Sequence, residues 1–207
     1  MGNLSKLTYL NLFGSFFCGQ MPQEIPKLTK LAKLDLSFNL NYSHQGLLEL
    51  KRPSLNSLTK NLTRLEWLDI SSVGIDSPIH KAFTNMSSLI YLYLGQCGLL
   101  GNFPTTIFQI PKLEILDLDN NWELSGNLPN FHFQSQLRVL DFSNISFSGK
   151  LHVSIGVISS LEYLDVSSCN FLDLAPPSIG NLTKLQVLDL HNSSFSRENV
   201  PFFSILT

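Results

Sequence analysis

The stretch Ile158-Ser-Ser-Leu-Glu-Tyr-Leu-Asp-Val-Ser-Ser-Cys-Asn-Phe-Leu-Asp-Leu-Ala-Pro-Pro-Ser-Ile-Gly-Asn181 contains the plan of the whole chain. Leu161, Leu164 and Val166 follow the spacing L-x-x-L-x-V, and the two-residue step from Leu164 to Val166 puts both side chains on one face of a short strand. Cys169 and Phe171 then turn inward, Pro176 and Pro177 bar a regular helix, and Ile179-Gly180-Asn181 closes the unit on a short return segment. A strand out and an irregular arm back cannot bury both faces alone. The unit therefore needs neighbours.

The neighbours are in the sequence. The leading residue of the unit recurs at Leu62, Met86, Ile110, Gln134, Ile158 and Leu182 in steps of 24, and Leu4 and Leu28 extend the series upstream. The step from Leu28 to Leu62 is 34, which marks an insertion, read as Asn39 to Asn61. Eight units with L-x-x-L-x-L inside a period between 20 and 29 read as leucine-rich repeats. The expected fold is an α/β leucine-rich-repeat solenoid, a right-handed superhelix. Its parallel concave β-sheet is backed by short 3-10 or irregular convex segments, in one domain over residues 1–207.

Length and composition set the bounds. The chain is 43% hydrophobic and 14% charged with a net charge of −2, a balance that gives no reason to expect nucleic acid. No apolar run reaches the length of a membrane span, and no basic segment followed by an apolar core opens the chain. Stacked repeats need polar terminal caps, yet Leu7, Leu10 and Leu12 at one end and Leu185, Leu188 and Leu190 at the other are expected to lie open. That pattern is read as a piece of a longer solenoid, against the alternative that Phe16 and Phe202 fold over the ends.

The repeats also carry a finer signature in Gly101-x-Phe103-Pro104, Gly126-x-Leu128-Pro129 and Gly149-x-Leu151. The insertion adds Leu48-x-Leu50-x-x-Pro53-x-Leu55 and Asn61-Leu62-Thr63; two further stretches are Ile107-Phe108-Gln109-Ile110-Pro111 and Asn121-Trp122-Glu123-Leu124-Ser125-Gly126. Together these resemble the plant-specific class of leucine-rich repeat, and in particular the ectodomains of plant receptor-like proteins of the Cf class. The resemblance covers essentially the whole chain. It implies a sensor in immune or developmental signalling on the extracellular side of the plasma membrane, without a kinase of its own. Such a protein would bind a peptide or protein ligand and signal through a co-receptor kinase, touching the membrane only through parts absent from this chain. The signal peptide, paired-cysteine caps, membrane helix and cytoplasmic tail of that family do not occur in these residues.

On the strand face two columns are expected to point outward. One reads Asn11, Asp35, Asp69, Tyr93, Asp117, Asp141, Asp165, Asp189, and the other Tyr9, Lys33, Trp67, Tyr91, Ile115, Val139, Tyr163, Val187. With Glu66, Glu114, Glu162 and Asp119 the face holds ten of the 16 acids against Lys33 and Arg138 among the 14 bases, giving about −8 there and about +6 elsewhere. A basic partner should be attracted, although Asp in this column also belongs to the ordinary plant repeat pattern. A row of bases, Lys6, Lys30, Arg64, Lys112 and Lys184, lies just before the strands. Aromatic rings beside acids supply rigid contact area of the kind binding hot spots use. The candidate ligand-binding residues are Tyr9, Trp67, Asp69, Tyr91, Tyr93, Asp117, Asp119, Asp141, Tyr163, Asp165, Asp189 and His191, with Trp67, Tyr91 and Tyr93 as the favoured patch.

A further inward position, usually Asn in such repeats, reads Ser15, Asn39, Val73, Cys97, Asn121, Ile145, Cys169, Ser193. Val73 and Ile145 cannot hydrogen-bond, so looser turns or trapped water are expected there. Cys97 and Cys169 are explained as small buried members of this row. They stand three units apart, about 14 Å at ~4.8 Å per strand and too far for a disulfide. With Cys18 they suggest neither a disulfide nor a metal site.

Seven N-x-[ST] sequons, at Asn3, Asn41, Asn61, Asn85, Asn144, Asn181 and Asn192, exceed the roughly three expected by chance and fit a glycosylated surface. No phosphate-binding loop, H-E-x-x-H or G-x-S-x-G stretch occurs, and His44, His80, His132, His152 and His191 fall in different units without ligand spacing. No enzyme, cofactor or metal is expected. Besides the receptor reading, two others stay open: a soluble wall-space inhibitor of a microbial cell-wall-degrading enzyme, and a truncated product without activity.

Overall fold

The computed structural model describes residues 4–41, 46–52, 54–79, 83, 85–132 and 134–195, with the side chain of Asn41 not included. The sequon at Asn3, the side chain of Asn41, and His44, His80 and Phe202 lie outside the described residues. The backbone of the stack is an eight-stranded parallel sheet built from Tyr9–Asn11, Lys33–Asp35, Trp67–Asp69, Tyr91–Tyr93, Ile115–Asp117, Val139–Asp141, Tyr163–Asp165 and Val187–Asp189, in chain order. Register follows the repeat: Tyr9 pairs with Lys33, Lys33 with Trp67 across the insertion, and each later strand with the residue 24 positions on.

The central residue of every strand is leucine because it alone points inward. From Leu34 to Leu164 these leucines are fully buried, as are Leu36, Leu94 and Leu118 two residues later. Leu7, Leu10 and Leu12, and Leu185, Leu188 and Leu190, are only partly buried against the core.

Behind the sheet the chain returns through 3-10 helices at Ile25–Lys27, Thr105–Gln109, Val153–Val157 and Pro177–Asn181. Pro177 starts the last of these, since a first-turn N–H has no intrahelical partner to lose. The insertion departs from the pattern. It pairs Leu40–Asn41 antiparallel with Gly46–Glu49 and then forms an α-helix, Leu55–Asn61, whose N-cap Ser54 accepts from the Ser57 N–H. Convex segments here are therefore not only 3-10 or irregular, because Leu55 and Leu58 give the extra residues an apolar stripe long enough for two turns.

A second parallel sheet joins Gly101–Asn102, Leu124–Gly126, Ser146–Gly149 and Asn170–Phe171. The glycines of the G-x-[FL] stretches lie in it with φ of +72° at Gly101, +142° at Gly126 and +82° at Gly149, which only glycine adopts without strain. Between the two sheets Phe103, Phe108, Phe131, Phe142 and Phe147 pack with centroids 5.0 to 6.2 Å apart, mostly edge-on.

Stacking of the 3-10 helices is close enough to exclude a methyl group. A Cβ on Gly156 would lie 2.2 Å from the Ser178 carbonyl oxygen of the next unit. Gly156→Ala should force the two helices apart and cost about 2 kcal/mol of stability, read as a lowered urea midpoint. An unchanged midpoint would show that the convex segments slide freely.

Candidate functional site

Each strand of the main sheet ends in a turn, and the last strand residue shapes it. Asp35, Asp69, Asp117, Asp141, Asp165 and Asp189 each use Oδ1 to accept the backbone N–H two residues on, at 2.8 to 3.1 Å, and Asn11 does the same for Phe13 at 2.9 Å. The residue after that, from Gly14 through Phe38, Ser72, Gln96, Asn120, Asn144 and Ser168 to Asn192, has positive φ in every repeat. The acidic column thus has a structural origin, with one carboxylate oxygen of each acid committed to its own turn.

This commitment changes the charge that composition suggests. Asp165 is buried, and Asp69, Asp117 and Asp141 are half-buried. Burial, opposed by the turn bonds but reinforced by neighbouring carboxylates, raises Asp69 and Asp141 above the ordinary range and pushes Asp117 up to about 7. Asp119 and Asp141 face Asp117 and contribute to its rise. Arg138 further reduces the field, since its guanidinium makes two hydrogen bonds to Glu162 at 3.1 and 2.9 Å and approaches Glu114 at 3.5 Å. Lys6, Lys30, Arg64, Lys112 and Lys184 form no ion pair with the acids of the face. The face is acidic, but by less than the formal −8.

Trp67, Tyr91 and Tyr93 come together as one aromatic cluster. The Trp67 ring lies 4.9 Å from that of Tyr91 and 5.4 Å from that of Tyr93, both tilted. All three are half-buried rather than free-standing, so they are held by their neighbours. Tyr93 takes the strand-end place that acids hold elsewhere, between Asp69 and Asp117 in register, and burial with those two charges pushes its hydroxyl up to about 12. Gly95 follows for a reason of space: a Cβ there would meet the Asp119 carboxylate at 1.8 Å. Asp119 thereby leans against Gly95 beside Asp117.

Tyr9 and Trp67 border a shallow depression with Asn11, Lys33 and Asp35 on its sides. Asn11 donates to the Tyr9 hydroxyl at 3.1 Å and to Asp35 Oδ2 at 3.3 Å. Tyr163 stands apart from the cluster, its hydroxyl 3.4 Å from Asp141 Oδ2 and 3.3 Å from Asp165 Oδ2, and its pKa is raised by burial and by those carboxylates. His191 lies at the far end of the sheet, its Nδ1 2.7 Å from Asp189 Oδ1. The candidate residues therefore share one face without forming one site. Trp67, Tyr91, Tyr93, Asp69, Asp117 and Asp119 are contiguous; Tyr9 is linked through the depression; Asp141, Tyr163, Asp165, Asp189 and His191 extend along the sheet. Asn11, Lys33 and Asp35, which line the depression, stand in the outward columns but are not among the candidates, since a column position alone does not reveal a hollow.

The row behind the turns is hydrogen-bonded from one unit to the next. Asn121 donates to the carbonyls of Leu94, Leu118 and Asp119 and accepts from the N–H groups of Cys97 and Leu99. Asn39 likewise reaches Leu12 and Leu36. The Cys97 thiol donates to Ile70, that of Cys169 to Phe142, and the Ser193 hydroxyl to Val166. The seven carbonyls from Leu12 to Val166 are all served. Val73 and Ile145 leave no carbonyl of this row unserved, because Asn39 and Asn121 already hold the Leu36 and Leu118 carbonyls that those positions would otherwise face. Burial raises both inner thiols, that of Cys169 to about 11, so neither is poised as a nucleophile.

Comparison with known proteins matches this geometry. The Zer-1-like leucine-rich-repeat model matches residues 1–86 and the Leucine Rich Repeat model residues 160–182. Receptor-like protein 6 of Arabidopsis thaliana is 42% identical over 156 residues, which are 75% of this chain and 16% of that protein. The present chain is a plant leucine-rich-repeat receptor-like one. Receptor like protein 28 of the same plant is 33% identical over 147 residues, 70% of this chain and 18% of that one. The chain thus spans less than a fifth of either relative's length. Among solved structures, the Arabidopsis receptor kinase HAESA in complex with the peptide hormone IDA and the co-receptor SERK1 superposes with a TM-score of 0.77 at 25% identity, over 98% of this chain and 33% of that one. No helix among the described residues of this receptor-like chain is long and apolar enough to cross a membrane.

Proposed function

We propose that this chain is an extracellular recognition segment that binds a peptide or protein partner on the outward face of its eight-stranded sheet. The observation that carries the reading is the Trp67–Tyr91–Tyr93 cluster, three mutually supported rings on an uninterrupted register and bordered by Asp69, Asp117 and Asp119. Half-buried aromatics give large contact area at low entropic cost, and the surrounding acids favour a partner with basic side chains. The HAESA complex, whose ectodomain shares the fold, supports a peptide as the ligand class and a co-receptor kinase as the signalling partner. The role is binding rather than catalysis. Its place is the outside of the plasma membrane, in immune or developmental signalling.

A display library of short random peptides tests the site. Peptides selected on the chain should bind the Trp67→Ala/Tyr93→Ala variant at least about tenfold more weakly, since each anchor of this kind is worth ~1–2 kcal/mol. Lys27→Ala on the convex side should leave them unchanged. Equal binding to the aromatic variant would move the site elsewhere.

A further inference from the structure

Trp122 is 76% exposed. It stands two residues past Asn120 in the loop leaving Ile115–Asp117, outside the aromatic cluster described above, and borders a hollow with Gln96, Gly98 and Asn120. All four are uncharged. The next repeat places Asn144 where this one has Asn120, both with φ of 54°. Asn144 is exposed, and its Nδ2 donates to Asn120 Oδ1 at 3.0 Å. Asn144-Ile145-Ser146 is a sequon, and the Ser146 hydroxyl donates to the Trp122 carbonyl. Both polar members of the sequon are therefore tied to the loop that carries the exposed indole.

We infer that Asn144 carries an N-linked glycan whose first N-acetylglucosamine lies against Trp122. Attachment forms a bond from Asn144 Nδ2 to C1 of the sugar, one amide hydrogen leaving as a proton and the lipid-linked pyrophosphate leaving from C1. The modified nitrogen keeps its other hydrogen, so the bond to Asn120 can persist and hold the sugar over the neighbouring loop. Adjacent strands lie about 4.8 Å apart, roughly the width of one pyranose ring. The apolar C–H face of that ring matches an indole face, and the amides of Gln96 and Asn120 offer donors and acceptors to its polar substituents without a charge to desolvate.

The chain contains its own control. Asn192 occupies the same place two repeats on, with φ of 52° and Nδ2 3.3 Å from Ser168 Oγ, and it too heads a sequon. There the position equivalent to Trp122 is Asn170, which has no ring. A glycan on Asn192 meets no ring at the place that Trp122 holds beside Asn144.

The full chain, secreted from glycosylating cells fed carbon-13 sugar and trimmed to one N-acetylglucosamine per site, gives the test. In carbon-proton spectra the Asn144 sugar should be shifted upfield by the indole ring, while the Asn192 sugar is not. Trp122→Ala should move the Asn144 resonances to ordinary positions, and Trp122→Phe should retain part of the shift. Unmoved Asn192 resonances report that both variants stay folded. Mass spectra showing Asn144 unmodified would overturn the inference, as would an Asn144 sugar whose resonances ignore Trp122→Ala. Neither result bears on peptide binding at Trp67.

Discussion

Asn121→Ala should destabilise the chain by about 4 kcal/mol, more than any other single change considered for this fold. The side chain is fully buried and makes five hydrogen bonds: donations at 2.9, 2.8 and 3.2 Å to three carbonyls and acceptances at 3.1 and 3.0 Å from two N–H groups. Alanine cannot replace any of them, and each buried group left without a partner costs about 1–3 kcal/mol. Water entering the space recovers part of that total, which brings the sum down to the value given. Cys97→Ala is the matched comparison. It removes a sulfur that donates to Ile70 at 3.0 Å and should cost about half as much, through lost packing and one weak bond. Urea unfolding reads both. Hydrogen exchange adds a local check, because the Cys97 and Leu99 amides should exchange faster in Asn121→Ala while those at Val73 and Ile145 stay protected. A loss below about 1 kcal/mol would mean that backbone pairing, not the asparagine, holds the turns.

The same residues show what could be read from the chain and what could not. Strand positions and both outward columns were legible because Leu34, Leu68, Leu92 and their equivalents recur with a fixed period, and a parallel stack converts period directly into register. The second sheet was not. Its strands are two to four residues long, begin at a different residue type in each repeat and shift register between repeats, so the G-x-[FL] stretches read only as a family mark. At Val73 and Ile145 a single position shows only that a side-chain donor is missing. The Leu36 and Leu118 carbonyls they would face are held by an asparagine one unit earlier, a compensation that only contact between units reveals. At the candidate site the cluster of Trp67, Tyr91 and Tyr93 follows from column adjacency alone. Burial of the Asp carboxylates does not, since an outward position in a strand says nothing about how far its neighbours cover it.

Lowering the pH from 8 to 5 should stabilise this chain, the reverse of the usual behaviour of carboxylates held in native ion pairs. Asp117 sits at about 7 in the folded state against its ordinary 3.8, so between those values the folded chain holds a proton that the unfolded chain releases. Stability is then greatest below the unfolded value and is lost as pH rises through the folded one. Asp69 and Asp141 are raised as well and act in the same direction. Glu162 and Asp189 are lowered and act oppositely, but both are solvent-screened and contribute little. The difference between pH 8 and pH 5 should be about 2–3 kcal/mol, Asp117 supplying most of it. Asp117→Asn isolates that share. An asparagine Oδ1 can still accept the Asp119 N–H, now at 3.1 Å, as Asn11 accepts that of Phe13 at 2.9 Å in the first repeat. The variant keeps the turn, sheds the desolvated charge and should be more stable than the parent at pH 8 with a flattened pH profile. If it is instead less stable at pH 8, the carboxylate contributes more to its turn than burial and Asp119 take away, and the acidic face would hold its full charge toward a partner.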